Sequence, residues 1–136
     1  MTDTQYTLDI SIFTLTKVNI INAIISAHRR GVHVRVITDK EKSKNEWVFP
    51  QLNKLIVAGI PVKIKNNYGL MHLKITISDN RITCMGSYNY TIAATKDNDD
   101  LLVIITSLNV CTDFKKEFDE MWASSNYINY IPADII

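Results

Sequence analysis

Strand-like and helix-like apolar patterns alternate along the chain. Tyr6 to Phe13 is strand-like. Thr16 reads as an N-cap, and Val18, Ile21, Ile24 and Ile25 form an apolar helical stripe that Gly31 ends. Val32 to Thr38 predicts a strand, with His33 set between apolar valines and facing outward. Lys40 to Asn45 reads as a charged loop. Trp47 to Ala58 predicts a helix with Phe49, Leu52, Leu55 and Ile56 on its apolar side and Pro50 in its first turn. Pro61 to Lys65 is a strand, and Asn66 to Gly69 a loop. Leu73, Ile75 and Ile77 predict the core face of the next strand, opposite His72 and Lys74. Asp79-Asn80 is a turn dipeptide, and Arg81 to Met85 returns as the second strand of a hairpin. Tyr90 to Lys96 reads as a helical turn, Leu101 to Thr106 as a strand and Asn109 to Trp122 as an amphipathic helix. Residues 125–136, with Pro132, read as an irregular tail.

This alternation implies an α/β fold: a mixed sheet flanked by helices on both faces, its hairpin forcing some antiparallel pairing. A chain of 136 residues is one domain, residues 1–136, with enough apolar content (46%) for a real core. No apolar run approaches the length of a membrane span. No basic-then-apolar leader opens the chain, which points to the cytoplasm. Cys84 and Cys111 have neither metal-ligand spacing nor a disulfide framework, and Cys84 reads as a buried free thiol.

The segment from His72 to Thr91, HLKITISDNRITCMGSYNYT, changes the picture. His72 and Lys74, Asp79, then Gly86, Ser87 and Asn89 stand at one fixed spacing, H-x-K, four residues, D, six residues, G-S-x-N. His72 and Lys74 are two apart and share one face of a strand. A turn opening at Gly86-Ser87 can return Ser87 and Asn89 beside them. One imidazole nucleophile among an ammonium and hydroxyl and amide donors suits a phosphate ester.

This spacing resembles the HKD signature of the phospholipase D superfamily. Further segments are similar to that family: Leu8 to Phe13 with Leu15-Thr16, Arg30 to Asp39, Ala58 to Val62, Asp99 to Ile104, and Phe114 to Trp122. The resemblance spans roughly Thr7 to Ser124. Family members carry another strand and helix ahead of the Thr7 strand, so the phospholipase D-like fold expected here lacks them. The chain is then a natural short form, a fragment or a trimmed piece. One motif copy places it beside the small single-motif nucleases.

The resemblance implies a chemistry. His72 attacks the phosphodiester and carries a phosphohistidine intermediate. Lys74 neutralises the phosphoryl oxygens, with Ser87 and Asn89 donating hydrogen bonds. A carboxylate orients the imidazole. The family uses Glu there, and Asp99 of the Asp99-Asp100 pair aligns best, one methylene shorter. Gly86 and Asp79 belong to the motif's structure, Asp79 through its turn. The scheme calls for no metal and no other cofactor. The leaving oxygen needs an acid, so a second His72 must come from a homodimer with a shared active site.

Net charge of +1 does not by itself point to a nucleic-acid partner, but its distribution is uneven. Residues 1–68 hold ten Lys/Arg against five Asp/Glu, and residues 69–136 hold five against nine. Lys40, Lys42, Lys44, Lys54, Lys63 and Lys65 either line a phosphate-rich track or form a solvated face. The acidic residues of the last helix read as solvent-facing. Tyr68, Tyr88 and Tyr90 stand either as stacking platforms for bases or as packing. The expected function is a metal-independent nuclease acting on DNA or RNA. The alternatives are a phospholipid-hydrolysing enzyme and an inactive nucleic-acid-binding module.

Overall fold

The computed structural model describes residues 3–87, 89–90 and 101–132. Its elements run β1 (Thr7–Ile12), α1 (Val18–Arg29), β2 (His33–Thr38), α2 (Lys40–Ser43), α3 (Phe49–Val57), β3 (Val62–Lys65), β4 (Lys74–Ser78), β5 (Ile82–Gly86), β6 (Leu102–Ile105), α4 (Leu108–Ala123) and β7 (Tyr127–Asn129). The strands form one sheet in the order β6-β5-β4-β1-β2-β3-β7. β1, β2 and β3 are parallel, as crossovers through helices require. β4, β5 and β6 add antiparallel on one side and β7 on the other. The sheet is therefore mixed, as the alternating pattern predicts.

Alternation along β1 and β2 sorts residues between two cores. Leu8, Ile10, Val34 and Val36 pack with Ile21 and Ile24 of α1 and Leu52 and Leu55 of α3. The opposite face carries Ile37 and Ile77 against Phe118 of α4. Helices thus cover both faces. Gly31, with φ of 92°, takes the left-handed position just beyond α1 that a side chain would strain.

Polar residues on the α4 side are paired rather than solvated. Arg35 grips the buried Asp9 with two hydrogen bonds of 2.8 and 3.0 Å and reaches Asp119 of α4 at 2.7 Å. Its guanidinium lies 4.8 Å from the Phe118 ring centroid. Burial opposes its charge, yet the bonds to both carboxylates outweigh this and raise its pKa above the ordinary arginine value. Asp119 also accepts from Lys115, so one acidic residue of the last helix is paired on both sides while its side chain stays 45% exposed.

Other expectations need correction. Lys40–Ser43 is a short helix and not a loop, because Asp39 caps it by accepting from the Lys42 amide. The supposed irregular tail contains β7, which pairs with β3 and buries Tyr130. Thr16 is not the cap of α1; Lys17 holds that position without a side-chain bond. Leu73 is 42% exposed and leaves the core to Ile77. Cys84 is half-buried, and burial raises its thiol pKa; Cys111 is buried, and both are free. Of the expected turn from Tyr90 to Lys96, only Tyr90 falls among the described residues.

Candidate active site

The parallel strands β1, β2 and β3 end at one edge of the sheet, where α/β folds commonly place their sites. β4 runs antiparallel to β1 and starts at that edge, with Lys74 opposite Ile12. His72 precedes β4 by two residues and is exposed, whereas Lys74 is 9% exposed. The lysine folds back on the segment before it. Its Nζ donates to the His72 carbonyl at 2.8 Å and lies 3.0 Å from Nδ1 and 3.4 Å from Nε2. A phosphoryl group arriving at the imidazole therefore meets the ammonium at the same point.

Phe13, just past the end of β1, supports this pair. Its ring centroid is 4.5 Å from that of His72, tilted by 50°. Lys74 Nζ is 5.3 Å from the Phe13 centroid and Lys42 Nζ of α2 is 5.2 Å from it. Asp39, 2% exposed, bonds the Met71 amide with Oδ1 and the Lys42 amide with Oδ2. One carboxylate thus ties the His72 segment to the helix that carries Lys42.

Ser87 and Asn89 reach this edge by a different route. Beyond β5, Tyr90 pairs with Leu15, and its carbonyl accepts from the Thr16 and Lys17 amides. That places Asn89 Oδ1 on the Thr14 amide at 3.2 Å, next to Phe13, and leaves its NH₂ as the donor group. Ser87 Oγ accepts from the Leu101 amide at 2.9 Å, which keeps the hydroxyl proton available to an acceptor. Gly86 is required for the approach: a Cβ there, at φ of 149°, would stand 1.9 Å from the Leu101 carbonyl oxygen. An open cavity of about 580 Å³ joins His72, Lys74 and Ser87 to apolar walls of Leu73, Met85 and Leu101.

Asp79 lies at the other end of β4. Its carboxylate accepts from the amides of Gln5, Tyr6 and Thr7 at 2.9, 2.6 and 3.0 Å, holding the start of β1. Asp79 and Asn80 have φ of 52° and 56°, left-handed values that match a tight hairpin. Burial pushes the Asp79 pKa up, but the three amide bonds and Arg81 outweigh it and bring it below the usual carboxylate value. Asp99 and Asp100 lie outside the described residues, as do Tyr88 and Lys96. Tyr90 is buried and bonds Thr76, whereas Tyr68 is 99% exposed.

The suggested basic track is divided by the fold. Lys63 donates to the Trp122 carbonyl, Lys40 to Asn66, and Lys44 pairs with Glu41. Lys42 alone of these six is placed against the Phe13 ring, among the described contacts. Sequence reasoning missed Phe13 and Asp39. An Asp directly after a strand and before Lys-Glu-Lys-Ser is an N-cap signal, and it was there to be read. Among the described residues, no three His, Cys, Asp or Glu side chains cluster as a metal site. None of the described helices is long and apolar enough to cross a membrane.

Residues 1–122 match the family model described as cardiolipin synthase, PLD-like domain. The chain is 32% identical over 123 residues to human mitochondrial cardiolipin hydrolase, covering 90% of this chain and 48% of that protein. It is 31% identical over 116 residues to mitochondrial cardiolipin hydrolase of Chlamydomonas reinhardtii, covering 85% and 51%. A phospholipase D from Rickettsia prowazekii is 30% identical over 111 residues, covering 82% and 53%. The chain thus spans about half the length of the curated relatives it matches. Among solved structures, the phospholipase D family member Nuc from Salmonella typhimurium superposes with a TM-score of 0.86 at 25% identity, covering 95% of this chain and 84% of Nuc. The motif, the sheet that carries it and these matches agree: the chain belongs to the phospholipase D superfamily.

Proposed function

We propose that the chain is a phosphodiesterase that hydrolyses a nucleic acid strand, DNA or RNA, through covalent attack by His72. The carrying observation is the Lys74 ammonium within 3.4 Å of both nitrogens of an exposed imidazole, at the carboxyl edge of the sheet. A ring nitrogen of His72 bonds to phosphorus, and the bond from phosphorus to the leaving oxygen breaks. The leaving oxygen takes its proton from a second, protonated imidazole. Water then attacks the phosphohistidine, giving a proton to that imidazole, and His72 is released. Lys74, Ser87 and the Asn89 amide bind the phosphoryl oxygens as charge builds on them. Asp99 orients the ring.

The second imidazole is His72 of the partner subunit in a two-fold dimer. Exposed apolar side chains beside His72 support this, with Leu70, Leu73 and Leu101 exposed by 56, 42 and 65%. Such a patch around a polar centre is the kind of surface a partner covers. The same apolar walls, together with the names of the curated relatives, favour a second reading in which the phosphodiester belongs to a phospholipid. The test is incubation of labelled single- and double-stranded DNA, RNA, phosphatidylcholine and cardiolipin with the protein in excess EDTA. Cleavage of the polynucleotides supports the first reading, and cleavage of lipid alone supports the second. Turnover of none rejects both.

A further inference from the structure

We infer that Lys42 binds a second phosphodiester of the substrate, next to the one His72 attacks. The inference rests on the hydrolytic reading of this site and adds a substrate class to it. Lys42 and Lys74 come from unrelated elements, α2 and the start of β4. Their ammonium groups nevertheless lie within 5.3 Å of the centroid of one Phe13 ring. At most twice that distance separates the two charges. The placement is fixed from behind. The Lys42 backbone is capped by Asp39, and the same carboxylate holds Met71, one residue ahead of His72. The neighbouring lysines of α2 and its end are turned to other partners, Lys40 to Asn66 and Lys44 to Glu41.

Two cations brought by separate elements to one ring can each take a phosphate of the same substrate, Lys74 the one under attack and Lys42 its neighbour. Each ammonium reaches an oxygen of its own phosphate at charge-assisted hydrogen-bond distance. The substrate chemistry this selects is a pair of phosphodiesters joined through an O–C–C–C–O bridge. Consecutive phosphates of a nucleotide strand have that bridge. The two phosphates of cardiolipin, linked through their central glycerol, have it too. A phospholipid with a single phosphodiester does not.

The experiment compares specificity ratios in wild type, Lys42→Ala and Lys42→Arg. One arm uses trithymidylate with two phosphodiesters against dithymidine monophosphate with one. The other uses vesicles of phosphatidylcholine carrying cardiolipin against the same vesicles carrying phosphatidylglycerol. Loss of one charge-assisted contact should lower the two-phosphate to one-phosphate ratio of kcat/KM by about tenfold in Lys42→Ala. Lys42→Arg should restore most of it. The arm in which the ratio falls identifies the source of the second phosphate. A ratio within about twofold of wild type in both arms overturns the inference. If wild-type protein cleaves none of the four, the hydrolytic reading fails by itself. Equilibrium binding of the same four compounds then decides: a two-phosphate preference that Lys42→Ala abolishes upholds the site, and an unchanged preference overturns it.

Discussion

Asp39 Oδ1 accepts the Met71 backbone N–H at 2.9 Å, one residue ahead of His72. Its other oxygen caps α2, so a buried carboxylate with no place in the motif ties down the segment that carries His72. Asp39→Ala strips both acceptors from buried amides, which costs about 1–3 kcal/mol per unsatisfied group. The expected result is a lower Tm and a kcat lowered about 10- to 100-fold, measured well below the new Tm. Asp39→Asn keeps one acceptor oxygen and should fall between the two. A rate unchanged in Asp39→Ala would remove this residue from the positioning of His72.

If one site needs His72 from both subunits, inactive chains should poison active ones. Equal amounts of wild type and His72→Ala, exchanged to equilibrium, leave only about one quarter of dimers with two imidazoles. Activity should fall to about one quarter of that of pure wild type at the same total protein and not to one half. Subunits with independent sites would give one half. Light scattering on the same samples checks that they are dimeric, and native mass spectrometry with an isotope-labelled His72→Ala chain checks that exchange is complete.

Gly86→Ala tests why the motif carries glycine. The new Cβ would meet the Leu101 carbonyl at 1.9 Å, and the residue would be strained at φ of 149°. Strain and overlap together should cost of order 2–4 kcal/mol. Relief requires Leu101 to move, and Leu101 holds both the Ser87 amide and its hydroxyl. Thermal unfolding and kcat should therefore fall together. A stable variant with normal rate would show that β6 is free to shift.

The strands and long helices were legible because each has a clear apolar period. Leu8, Ile10 and Ile12 are all buried, and so are Ile21 and Ile24. Short elements were not. Four residues of α2 carry no apolar stripe, and only the Asp39 cap betrays the helix. β7 is three residues long, and its pairing with β3, Lys63 with Asn129 and Lys65 with Tyr127, joins distant parts of the chain that no local pattern links. The motif located His72, Lys74, Ser87 and Asn89 at one edge because spacing on a hairpin is local. Phe13 and Asp39 follow β1 and β2, and Lys42 lies in α2, so their convergence needs the order of strands in the sheet. Charge counting likewise grouped Lys42 with Lys63, although one faces the site and the other packs on Trp122.

Asp79 separates a structural carboxylate from a catalytic one. Asn in its place tolerates the same left-handed backbone, so Asp79→Asn removes the charge while sparing the turn. Burial opposes ionisation of Asp79, but hydrogen bonds from the Gln5, Thr7 and Tyr6 amides outweigh it, and its folded pKa lies below the unfolded carboxylate value. The unfolded chain therefore binds more protons between those two values, and stability rises with pH across that window. The contribution is complete above the unfolded value of about 4 and disappears as pH falls through the folded one. At pH 7 the variant should lose roughly 2–4 °C in Tm, the size expected for about one kcal/mol in a domain of this length. The difference from wild type should shrink steadily below about pH 4. Its rate at pH 7, well below Tm, should stay within about twofold, since the side chain bonds the start of β1 at the end of β4 opposite Lys74. A Tm difference that persists at low pH would mean the lost term is turn geometry and not charge. A large loss of rate with unchanged Tm would move Asp79 into the chemistry.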